Sequence, residues 1–117
     1  MKKLPEYIPP VCQTMIKGVK DAQDVLSGKW KLHIVATLYY RGKMKFMDLS
    51  REMGGLAPKI LSKELKELEL NEILTRTEID SKPKTVEYEL TEHGRSLNKV
   101  IVELAQWGNL HREKIMV

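Results

Sequence analysis

The stretch Phe46 to Leu70, FMDLSREMGGLAPKILSKELKELEL, reads as two short helices joined by a tight glycine turn. Phe46, Leu49 and Met53 recur at i, i+3 and i+7, one apolar stripe on a short helix. Gly54-Gly55 stops that helix with residues that accept positive φ. A second helix is predicted from Pro58, because proline at the first helical position loses no needed N–H and its fixed φ already suits a helix. Ala57 before it is a poor cap.

The second helix has two unlike faces. At roughly 100° per residue, Leu61, Leu65 and Leu68 gather on one side and Lys59, Lys63 and Lys66 about opposite, with Ser62 at the flank. One face can be buried while the other meets phosphate or base edges. Taken alone, the lysines suit an ordinary solvated helix, with Glu64, Glu67 and Glu69 as surface partners three and four residues away. The order of elements changes that weighing. A helix, a short turn, a lysine-faced helix and then two alternating strands is the order of a winged helix-turn-helix.

The strands are ILTRTEI, Ile73 to Ile79, and TVEYEL, Thr85 to Leu90, both with period-two alternation; Val86, Tyr88 and Leu90 should face the core. Between them, Asp80 to Lys84 is a turn carrying Lys82 and Lys84, the composition of a wing tip on a DNA backbone and equally of a solvated hairpin loop. Upstream, Lys29 to Tyr40 is apolar over most of its circumference and should be the central core helix, ended by Arg41-Gly42. Lys43 to Lys45 is a connector or a very short strand. A leading helix over residues 11–26 carries the stripe Cys12, Met15, Ile16, Val19, Ala22 and Leu26. Thr91 is a good N-cap for a long helix to about Lys114, with Leu97, Val100, Ile101, Leu104 and Trp107 on one stripe. That stripe outruns the compact domain, so part of it needs a partner, and a homodimer contact is the economical one.

The division that follows is an extended arm over residues 1–10 and a single domain over 11–117. Within the domain, 11–26 and 92–115 are dimerisation helices, 46–70 the helix-turn-helix and 73–90 the wing. The fold class is mainly α with a small β-hairpin, a winged helix-turn-helix dimerising through its N- and C-terminal helices. The 117 residues suit one modest core. Lys plus Arg exceed Asp plus Glu by 20 to 16, which permits nucleic-acid binding without requiring it. A lone cysteine, Cys12, excludes an internal disulfide framework and fits a reducing compartment. MKKLPEYIPP places prolines where a signal peptide needs an apolar run, and no stretch approaches the roughly 20 residues of a membrane span. A cytoplasmic chain without a membrane partner is expected.

Several elements together resemble a known family. Cys12 ahead of a helix is followed by GKW at Gly28 to Trp30, F-x-x-L at Phe46 and L-x-x-x-L-x-x-L-E from Leu61. V-x-Y-x-L-T-x-x-G-R-x-L from Val86 and Trp107-Gly108 complete the set. Over roughly Cys12 to Gly108 this resembles the HxlR-type transcriptional regulators. The resemblance implies a dimeric regulator of pseudo-palindromic operators, with double-stranded DNA as partner. Pro58, Lys59, Ser62, Lys63 and Lys66 then fall on the recognition helix, and Lys82 and Lys84 on the wing. The chain departs from the family pattern at two places. Relatives commonly cap the recognition helix with Ser where this chain has Ala57-Pro58, and often carry arginine or glutamine where it has lysine. Lysine is a point charge without the bidentate fork that reads guanine, which shifts the balance towards backbone binding.

Some members of the family sense oxidants or electrophiles through an N-terminal cysteine, and Cys12 stands at the matching position. Two readings of Cys12 stand side by side. A helix N-terminus favours a thiolate, while a place on an apolar stripe suits an inert small hydrophobe. A small-molecule effector is compatible with the resemblance. His33, His93 and His111 are dispersed, so no metal site is indicated. Neither a phosphate-binding glycine loop nor a G-x-S-x-G elbow occurs, and no cofactor or enzymatic role is expected. The alternative to an operator-binding regulator is a winged-helix adapter for other proteins or the basal machinery. Trp30 reads as core packing.

Overall fold

Gly54 and Gly55 take φ of +72° and +77°, and the turn marked in the sequence closes around them. In the computed structural model, which describes residues 7–116, the elements run in one series. They are α1 (Pro10–Val25), α2 (Lys31–Arg41), β1 (Met44–Lys45), α3 (Phe46–Glu52), α4 (Pro58–Leu70), β2 (Leu74–Ile79), β3 (Thr85–Leu90), α5 (Glu92–Arg95) and α6 (Asn98–Ile115). At the end of α3 the Gly55 N–H donates to the Ser50 carbonyl at 2.9 Å and the Gly54 N–H to that of Arg51 at 3.0 Å. This is a Schellman closure, which satisfies carbonyls that a helix end would leave orphaned. The buried Ser50 hydroxyl donates to the Leu56 carbonyl at 3.2 Å and fixes the far side of the turn. α4 then begins at Pro58, and Ala57 supplies no side-chain cap.

The core forms where α2, α3, α4 and the start of α6 meet the sheet. Ile34, Val35 and Leu38 of α2, Leu49 beside Met53 at the end of α3, and Leu61, Leu65 and Leu68 of α4 are buried together with Leu74, Tyr88, Leu90 and Ile101. Each fully buried Leu or Ile contributes about 1.5–3 kcal/mol, so α4 is anchored by the stripe predicted from its spacing. Trp30 packs half-buried against the same cluster.

The sheet is antiparallel in the order β1-β3-β2. The connector at Met44 and Lys45 pairs with Tyr88 and Glu87, which turns the expected hairpin into a three-stranded sheet. In β2 only Leu74 is buried and Thr75 to Glu78 are exposed, so the alternation of ILTRTEI does not mark a half-buried strand. β2 is an edge strand, and among the described residues it is covered mainly at its ends, at buried Leu74 and half-buried Ile79.

The expected continuous C-terminal helix is two helices. Thr91 caps α5 as predicted, its hydroxyl oxygen accepting the Gly94 N–H at 2.9 Å while its O–H donates to the Glu72 carbonyl at 2.6 Å. The chain then turns at Ser96 and Leu97, where the Ser96 hydroxyl donates to the His93 carbonyl and the Asn98 side chain accepts the Lys99 N–H. Short polar side chains that bond their own backbone compete with helix continuation, and here they break it. Ile101 is the buried residue of α6, whereas Leu104, Trp107 and Leu110 are exposed. α1 has no buried residue, and the chain meets the core only through Val25 and Leu26 at its end. α1 takes in Pro10, the last residue assigned to the arm. Met1 to Glu6 of that arm lie outside the described residues. The radius of gyration is 17.5 Å, against about 13 Å for a compact chain of this length.

Candidate nucleic-acid interface

Burying Leu61, Leu65 and Leu68 turns the other side of α4 outward, and Pro58, Lys59, Ser62, Lys63 and Lys66 are all exposed. Lys63 Nζ lies 3.9 Å from Glu67 Oε1, a loose surface pair. Lys59 and Lys66 have no carboxylate within 4.0 Å among the described residues. At the start of the helix Ile60 and Leu61 both donate to the Ala57 carbonyl, and Pro58 has no N–H. This helix N-terminus therefore presents one amide fewer to a phosphate than a helix without proline at its first position would.

Across from α4 stands the wing, and between them lies a groove of about 670 Å³. Ser62 and Lys66 line one wall, and Lys84 and Arg76 the other, with Lys45 at the end of β1. The structure thus brings together Ser62, Lys66 and Lys84. Lys59 and Lys63 lie along α4 outside this groove, and Lys82 stands in the exposed turn beyond it. In that turn the Ser81 hydroxyl donates to the Pro83 carbonyl at 2.7 Å, which folds the tip back on itself. Arg76 is opposite Tyr88 in the β2–β3 register. The Tyr88 hydroxyl first, and Glu78 next, raise its pKa, so it stays a cation under all ordinary conditions.

A family model described as HxlR-like helix-turn-helix matches residues 25–116. The chain belongs to the HxlR-like helix-turn-helix family. Among its HxlR-like relatives is the HTH-type transcriptional regulator YtcD of Bacillus subtilis, 36% identical over 98 residues, or 84% of this chain and 77% of YtcD. The crystal structure of a ytcD regulator superposes with a TM-score of 0.75 at 37% identity, over 81% of this chain and 96% of that one. The redox regulator HypR in its oxidised form gives 0.72 at 33% identity, over 79% and 94%. This HxlR-like chain is therefore a DNA-binding, winged helix-turn-helix transcriptional regulator. Among the described residues, no helix is long and apolar enough to cross a membrane, and no cluster of His, Cys, Asp and Glu could hold a metal.

Three features of this HxlR-like site escaped the sequence reading. Lys45 and Arg76 join the groove, and the signal that could have found Arg76 is its place between two threonines on a wing strand. Glu64 is not a surface partner on α4 but is buried, with its Oε2 2.8 Å from Lys31 Nζ. Lys31 also lies 2.5 Å from Glu67 and donates to the Ser27 carbonyl at 3.2 Å, so a buried ammonium on α2 holds two carboxylates of α4. Burial acts to lower the Lys31 pKa, but bonds and charges from Glu64 and Glu67 outweigh it and the net shift is upward. Glu67 is held below its ordinary value chiefly by its bond to Lys31. Cys12 is a free, exposed cysteine in the first turn of α1.

Proposed function

We propose that the protein acts as a homodimer on a pseudo-palindromic operator. Two copies join through α1 and α6 and set their α4 helices into major grooves on one side of the duplex, about 34–36 Å apart or a multiple of it. Pro58, Lys59, Ser62, Lys63 and Lys66 meet the groove and its phosphates, and Lys82 and Lys84 meet the flanking backbone. The observation that carries this reading is the division of α4 into a buried leucine stripe and an exposed lysine face. The uncovered apolar positions of α1 and α6 support the dimer. In the domain division, 11–26 and 92–115 serve dimerisation, 46–70 DNA recognition and 73–90 the wing.

Cys12 makes this binding respond to oxidants. Its exposure leaves the thiol open to attack, and the likeness to the redox regulator HypR supports the assignment. Two thiols, one from each copy, join as a disulfide and pass two electrons and two protons to the oxidant, changing the spacing of the two recognition helices.

Genomic fragments selected on the purified protein at near-physiological salt, first reduced and then treated with diamide, test both parts. An enriched inverted repeat, lost on oxidation and retained in Cys12→Ser, is the expected result. Enrichment indifferent to diamide removes the Cys12 switch alone. No enrichment in either state replaces the operator reading with that of an adapter. Each neutralised phosphate contributes about 0.9 to the slope of log K against log salt, so Lys63→Ala should flatten that slope by close to one contact. An unchanged slope removes Lys63 from the phosphate contacts.

A further inference from the structure

The groove between α4 and the wing has a floor that DNA contact leaves unexplained. Lysines on its rim suit phosphate, but the surface between them is apolar, formed by Phe46, Val86, Tyr88 and the exposed Met47. The Phe46 and Tyr88 rings are 6.3 Å apart at their centroids and tilted by 49°, which leaves a ring-lined wall. A phosphodiester backbone has little apolar surface to cover such a wall. At about 670 Å³ the groove is in the size range, roughly 300–1,000 Å³, of sites for small organic molecules.

The charges around that wall narrow the chemistry. Asp48 is already paired with Arg51, and Arg76 with Glu78. Lys45, Lys66 and Lys84 have no carboxylate within 4.0 Å among the described residues, while Glu69 is the one carboxylate on the groove outside an ion pair. An occupant with an apolar face and a negative charge matches both parts of the lining.

We propose that this groove binds a flat organic anion, an aromatic ring bearing a carboxylate, and that the bound anion excludes DNA from Ser62, Lys66 and Lys84. The ring lies on Phe46, Met47 and Tyr88, and the carboxylate reaches Lys66 and Lys84. The second half rests on the operator reading, because only a DNA-facing groove makes such a ligand an effector. The first half does not.

The test uses 2-naphthoate as probe and 2-naphthalenemethanol as its uncharged counterpart, titrated into the reduced full-length protein without DNA. Saturable binding of naphthoate with amide shifts at Met47, Val86 and Tyr88 is expected, weakened about tenfold in the Lys66→Ala, Lys84→Ala double variant and in the alcohol. Met47→Ala, at an exposed position that leaves the core intact, should weaken it severalfold. No saturation, shifts confined to α1 and α6, or equal binding by the alcohol or the double variant would overturn the site. In a second arm, naphthoate should raise the apparent Kd for operator DNA linearly with its free concentration, doubling it when the groove is half occupied in the DNA-free protein. Occupancy without any change in DNA affinity overturns the exclusion. Absence of DNA binding in the ligand-free protein sinks the operator reading and with it the exclusion, while the first arm still decides the site.

Discussion

Gly94 is in the family-like run V-x-Y-x-L-T-x-x-G-R-x-L for a steric reason. A Cβ built on it would stand 2.0 Å from the Ile73 carbonyl oxygen, a backbone atom that cannot swing aside as a side chain could. The same carbonyl accepts the Thr91 N–H at 3.0 Å, so α5 sits directly on the turn that leads into β2. Gly94→Ala must push α5 off that turn, and overpacking of this kind costs about 3 kcal/mol. Urea denaturation should show the midpoint falling with an unchanged m-value. A loss under about 0.5 kcal/mol, the scale of an ordinary surface substitution, would mean that the turn yields and the contact is not structural. Lys31 presents the electrostatic counterpart, since its side chain is 4% exposed and that of Glu64 9%. Removing one partner of a buried pair strands the other charge at a cost of about 3–5 kcal/mol, whereas replacing both with apolar groups is often neutral. Lys31→Met should therefore be strongly destabilised and the Lys31→Met, Glu64→Leu double variant should recover most of the loss. A double variant no better than the single one would show that packing, not charge, is what Lys31 supplies.

Lys31 and its carboxylates also join two elements, and their titration tests the joint between α2 and α4. The Glu67 pKa is lowered in the folded chain from an ordinary 4.5, so its share of stability is fully present above that value and is lost as pH falls through the lower folded one. Lys31 is raised above 10.5, so its share persists below that and is lost as pH rises through the folded value. The stability difference between the native chain and Glu67→Gln should thus be flat from about pH 5 to 10 and shrink below 4.5. A difference that stays constant down to pH 2 would show that the Lys31 bond does not favour the charged carboxylate. Legibility in the sequence divides along the same line between local and distant causes. α3, its glycine stop, the start of α4 at Pro58 and the Thr91 cap were readable, because spacing, punctuation and capping act within a few residues. The Lys31–Glu64 pair spans 33 positions, and nothing in the neighbourhood of either residue announces the other. β2 alternates as a strand should, but whether its faces are covered depends on what packs against the sheet. At Ser96 and Asn98 the breaking signal was local, and the longer apolar stripe of α6 concealed it. Half of the groove was legible from α4 and the wing lysines. Lys45 and Arg76 entered it only through the pairing of β1 and β2 with β3.

At the scale of the molecule, apolar surface is distributed unevenly. The winged core buries Leu49, Leu61, Leu65 and Leu68, while Met15 and Val19 of α1 are 67% and 59% exposed and Trp107 and Leu110 of α6 are 64% and 65% exposed. Isolated exposed apolar residues are ordinary, but stripes of them on the two terminal helices are not. These helices also extend the chain to 62 Å along its longest axis with little holding α1 to the core, a shape that a second copy would complete. A dimer formed this way should depend on α1 and α6 together and not on the winged core. Val19→Asp and Leu104→Asp place charges at positions 59% and 46% exposed in the single chain, so each variant should keep its far-UV circular dichroism. Sedimentation equilibrium should show the native chain as a dimer and the double variant as a monomer. The monomer should also lose operator affinity far beyond what one missing half-site contact explains, because two linked recognition helices bind at high effective concentration. A native chain that sediments as a monomer, or a double variant that remains dimeric, would move the interface away from these helices.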